Sequence, residues 1–78
     1  MRKISLDSLK EGQSGTVLSV DLSGDMKYRL LDIGIIPGTK IKVVKTAPLG
    51  DPIQIELMGY SICIRKETAR KIIVEVNE

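Results

Sequence analysis

Seventy-eight residues, 42% of them apolar, are enough for one small core and too few for two, so residues 1–78 are expected to form a single ordered domain. Twelve basic residues against ten acidic ones leave a net charge of +2, with the signs interleaved, so charge alone gives no nucleic-acid footprint. A lone cysteine excludes a disulfide framework, and the lack of histidine removes the commonest general base and metal ligand.

No apolar run is long enough to span a bilayer, and Met1-Arg2-Lys3-Ile4 leads into polar residues instead of an apolar leader segment. The expectation is a soluble cytosolic protein without membrane insertion. From Ile4 to Leu9 the leucines at 6 and 9, with Ser5 as a candidate cap, predict one turn of 3₁₀ or α-helix. Lys10-Glu11-Gly12 is a turn. A first strand covers roughly Ser14 to Asp21, with Gly15 as a candidate bulge. Val17, Val20 and Leu22 are its expected buried positions; Val17 and Val20 break strict alternation, which a bulge or bend between them would reconcile.

Ser23-Gly24-Asp25 is an N-cap cluster, with Asp25 placed to favour the helix dipole. The helix it opens runs to about Ile33. Met26, Leu30 and Ile33 share one face, while Tyr28 and Leu31 point away from it as a second, smaller apolar stripe. Either the helix is covered on both sides and both stripes are internal, or Tyr28 and Leu31 form a contact surface. Gly34 follows the last periodic residue, where a left-handed C-cap needs no Cβ. Pro37-Gly38 suits the centre of a type II turn.

Beyond that turn the pattern has period two. Thr39 to Thr46 is a half-buried strand with Ile41 and Val43 inside and Lys40 and Lys42 outside. Ala47 to Pro52 is a loop. Ile53, Ile55 and Leu57, then Tyr60, Ile62 and Ile64, form a hairpin about Met58-Gly59, pairing Leu57 with Tyr60 and Ile55 with Ile62. A positive φ is uncomfortable for Met58, so a slightly longer turn is an alternative. Tyr60 is expected to face inward and Cys63 to be a small packing residue beside Gln54 and Glu56. Lys66 to Lys71 makes one helical turn, and Ile72, Val74 and Val76 form a last strand. Five strands, short links and one inserted helix predict an all-β small barrel.

No catalytic constellation is present. Cys63 has no histidine to activate it, no phosphate-binding lysine follows the glycines, and the aspartates lack calcium-loop spacing. An enzyme is not expected, and no cofactor is implied. Oligonucleotide and proline-rich-peptide barrels rely on aromatic platforms, and here only Tyr28 and Tyr60 are aromatic. A protein-contacting adaptor or regulator remains. Two other classes stay open: nucleic-acid binding through Lys40, Lys42 and Lys45, and metal sensing through Cys63 with nearby carboxylates.

Three segments in order, Arg29-Leu30-x-x-Ile33-Gly34-Ile35-x-Pro37-Gly38, Ala47-Pro48-Leu49-Gly50-Asp51-Pro52-Ile53 and Ile64-Arg65-x-Glu67-x-Ala69, resemble the FeoA family. The resemblance spans about Leu6 to Val76; Ile33 and Ile64 stand where leucine or methionine is more usual, a volume-conserving change. It implies an SH3-like barrel and a non-enzymatic accessory protein of ferrous iron uptake. The implied partner is the cytosolic GTP-binding part of the transporter FeoB, with no nucleic acid bound. A related barrel forms the C-terminal domain of iron-dependent repressors. Those also need a helix-turn-helix domain and histidine-rich metal ligands, so a stand-alone repressor is not expected. The residues expected to meet the partner are Tyr28, Leu31 and Ile36, on the helix and the connection that follows it.

Overall fold

The computed structural model describes residues 1–77. Six strands form one antiparallel sheet: β1 (Arg2–Ser5), β2 (Ser14–Val20), β3 (Lys40–Thr46), β4 (Ile53–Leu57), β5 (Tyr60–Ile64) and β6 (Ile72–Val76), in the order β1-β6-β2-β3-β4-β5. A 3₁₀ turn (Leu6–Ser8) follows β1, helix α1 (Gly24–Asp32) joins β2 to β3, and a one-turn helix α2 (Lys66–Ala69) joins β5 to β6.

The core is built mainly on alternate positions of β3, β4 and β6. Ile41, Val43, Ile55, Ile72 and Val74 are fully buried, with Val17 and Leu57 nearly so, and Leu6, Leu9 and Ala69 join the same core. Every hydrophobic alternation read from β3, β4 and β6 is realised. The hairpin pairs Leu57 with Tyr60 and Ile55 with Ile62, as expected. Its loop has only two residues; Met58 (φ 47°) and Gly59 (φ 84°) both take the left-handed region, as the strand twist requires, so no longer turn is needed.

Three expectations are corrected. The sheet has six strands, not five, because Arg2–Ser5 pairs antiparallel with β6, Arg2 opposite Val76 and Ser5 opposite Ile73. The short N-terminal segment gains its strand character from this non-local ladder. Gly15 is not a bulge: it pairs in register with Ile41, and a Cβ there would stand 2.9 Å from Val74 Cγ2, so glycine serves a close approach of two strands. The irregularity falls between Val17 and Ser19, which is the bend that the spacing of Val17 and Val20 demanded. Ser5 sits at the N-cap of the 3₁₀ turn, but its hydroxyl bonds Asp7 instead of a backbone N–H.

Candidate functional site

The segment after α1 is a Schellman motif. Ile35 N–H donates to the Leu30 carbonyl (2.9 Å) and Gly34 N–H to the Leu31 carbonyl (3.0 Å), with Gly34 at φ 98°. The hydrophobic partners of the motif, Leu30 and Ile35, are both buried. A turn then closes with Thr39 N–H donating to the Ile36 carbonyl (3.0 Å), Gly38 holding φ 97° at its third position. Val17 fastens this turn to the sheet: it accepts from Gly38 N–H and donates to the Thr39 carbonyl, each at 2.8 Å.

Side chains add three anchors. Thr39 Oγ1 donates to the Gly34 carbonyl at 2.7 Å, and the Tyr60 hydroxyl donates to the Ile33 carbonyl. Met58, at the hairpin tip, lies over Gly34 so closely that a Cβ at Gly34 would collide with its Cε. Tyr60 therefore does not point into the core as expected. It opens β5 at the margin of the sheet, partly exposed, and ties that strand to the end of α1.

Of the three residues expected to meet a partner, Tyr28 is 66% exposed, Ile36 is 45% exposed, and Leu31 is half-buried. Tyr28 and Leu31 stand one turn apart on α1; Ile36 lies on the Gly34–Gly38 connection. The opposite face of α1 is less enclosed than its periodicity suggests. Leu30 alone is buried, Met26 is 41% exposed and Ile33 half-buried. That face borders an apolar groove of about 450 Å³, lined also by Cys63, Ile64 and Thr68, with Arg29, Asp32 and Arg65 as its charged members. Cys63 is thus exposed, not packed, because position 63 is on the outer face of an edge strand. Sequence periodicity carries no sign of this groove, since it forms between α1 and β5, elements far apart in the chain.

The lysines of the nucleic-acid reading do not make one uninterrupted basic stripe. Lys42 stands opposite Glu56 in the β3–β4 ladder, and a register shift after Val43 sets Lys45 opposite Gln54. Lys40 and Lys42 line a polar depression that Glu56 shares, whereas Lys45 borders a separate, mainly apolar one with Pro48 and Pro52. Among the described residues, no group of three or more Cys, Asp and Glu side chains is close enough to hold a metal ion, and no helix is long and apolar enough to cross a membrane.

A family model described as the FeoA domain matches residues 4–76. A Fe(2+) transport protein A/Fe(2+) transporter FeoB fusion protein of Porphyromonas gingivalis is 37% identical over 71 residues, covering 91% of this chain; the chain spans only 8% of that relative's length. The solution structure of FeoA from Chlorobium tepidum superposes with a TM-score of 0.90 at 36% identity, over 96% of this chain and 71% of that one. A zinc-complexed FeoA of Stenotrophomonas maltophilia, described as a prokaryotic SH3 domain protein, has a TM-score of 0.80 at 25% identity, over 92% of this chain and 89% of its own. The fold is therefore SH3-like, as the sequence resemblance implied.

Proposed function

This chain belongs to the FeoA family, and on that premise we propose that it is a non-enzymatic accessory protein of ferrous iron transport that binds the cytosolic GTP-binding part of a FeoB-type transporter. It works in the cytosol and acts by contact. One observation carries the reading. In the P. gingivalis relative, the matching domain is part of the same polypeptide as the transporter. A covalent link holds two modules at high effective concentration, which is useful when they touch. The S. maltophilia relative has likewise been proposed to be a ferrous iron transport activating factor.

The contact surface proposed is Tyr28, Leu31 and Ile36. Tyr28 and Ile36 are large, apolar and exposed, and they sit on a segment fixed to the barrel by the Schellman motif and the Val17 bonds. Aromatic and aliphatic anchors on a preorganised backbone lose little entropy on binding. The test is capture of the transporter's purified cytosolic GTP-binding region by the immobilised chain. Tyr28→Ser with Ile36→Glu should weaken capture about tenfold or more, the scale of losing an interface anchor, while circular dichroism shows a folded domain. Leu31→Glu should weaken it too, at some cost in stability because Leu31 is half-buried. Full capture by the folded double variant would remove these residues from the contact.

A further inference from the structure

The sheet has two edges, and they are not alike. β1 carries Arg2 and Lys3, charges that discourage pairing with another strand. β5, Tyr-Ser-Ile-Cys-Ile, carries no charge, proline or register shift. Across the two-residue turn, Leu57–Tyr60 is a hydrogen-bonded pair, so Ile55–Ile62 is another and Glu56–Ser61 and Gln54–Cys63 are not. The N–H and C=O groups of Ser61 and Cys63 therefore point away from β4. Among the described residues, no backbone hydrogen bond from another element reaches them.

The apolar groove abuts the C-terminal end of this same edge. Cys63 and Ile64 both line it, and consecutive strand residues face opposite ways, so the groove lies at the strand's rim and not on one face of the sheet. Its far wall is α1 and its C-cap, through Met26, Leu30 and Ile33. An edge strand with unpaired backbone groups beside a helix is the arrangement in which an extended peptide adds a strand. Two arginines against one aspartate, Arg29 and Arg65 against Asp32, leave the charged lining with one positive charge in excess.

We propose that β5 takes an extended segment of the partner as an added strand, its backbone bonded to Ser61 and Cys63, one large apolar side chain in the groove against Leu30, Ile33 and Ile64, and an acidic residue beside Arg29 and Arg65. This rests on the transporter as partner and assigns a part of the contact on the other side of α1 from Tyr28 and Leu31.

The experiment is amide hydrogen exchange on the full chain, free and with two probes: the transporter's cytosolic region, and peptides tiled across all its cytosolic segments. Exchange at Ser61 and Cys63 should slow about tenfold or more on binding. Cys63→Pro, which removes an N–H that the β4 ladder does not use, should cut affinity about tenfold or more, because a carbonyl of the incoming strand is left without its donor. Cys63→Ser should bind as the unmodified chain does. Reversing the acidic residue of the bound peptide to lysine should weaken it further. Binding with unaltered exchange at Ser61 and Cys63 overturns the edge assignment and leaves the partner standing. Absence of binding by both probes overturns both. Slow exchange at these amides in the free chain, growing with chain concentration, gives the edge to a second copy and also overturns the proposal. If Cys63→Pro fails to fold, exchange in the unmodified chain decides.

Discussion

In the sheet, Ile41, Val43, Ile55 and Val74 are wholly removed from solvent; in the nine residues of α1, Leu30 alone is buried. The sheet is held by a continuous core, so no single residue positions it. The helix and its following turn are held at a few points: Leu30 and Ile35 beneath, the Gly38 and Thr39 bonds to Val17, and the Tyr60 hydroxyl on Ile33. A lightly anchored unit on a stable frame keeps apolar surface available that a fully packed helix would bury.

Substitutions sharpen the contrast. Ile55→Ala, in the centre of the sheet, should cost about 2–5 kcal/mol and lower the denaturant midpoint of the whole domain in one transition. Gly34→Ala should cost about 1–3 kcal/mol, because alanine must hold φ 98° and displace Met58. Its effect should fall on α1, with faster exchange of helix amides than of those in β3 and β4. Tyr60→Phe removes one hydrogen bond and should cost about 1 kcal/mol, again read most clearly in the exchange of α1. Tyr28→Ser should change stability by no more than about 0.5 kcal/mol and show itself only in partner capture. Equal losses of cooperativity from Ile55→Ala and Gly34→Ala, with no separate loosening of the helix, would erase the distinction between the two regions.

Local chemistry made much of this molecule legible. Gly34 as a C-cap, Pro37-Gly38 as a turn, and the pairing of Leu57 with Tyr60 each follow from a few adjacent residues whose conformational limits are severe. The bend between Val17 and Val20 was readable because a broken alternation has few remedies. What escaped depends on residues far apart. Arg2–Ser5 becomes a strand only because β6 lies beside it. Gly15 needs its small size because of Val74, which nothing near position 15 announces. The exposure of Tyr60 and Cys63 follows from the place of β5 at the edge of the sheet, and strand position in a sheet is a property of topology, not of alternation. The proposed contact divides the same way. Tyr28 and Ile36 could be named from the helical stripe and the turn, whereas the groove between α1 and β5 required both walls to be in place.

The most direct test is the titration of an isotope-labelled chain with the cytosolic GTP-binding region of a FeoB-type transporter, followed by amide chemical shifts. Shifts concentrated between Tyr28 and Ile36 and along Ser61 to Ile64, with β1 and the Ala47–Pro52 loop unmoved, are the predicted result. Shifts confined to the Lys40 and Lys42 depression, or none at saturating partner, would contradict it.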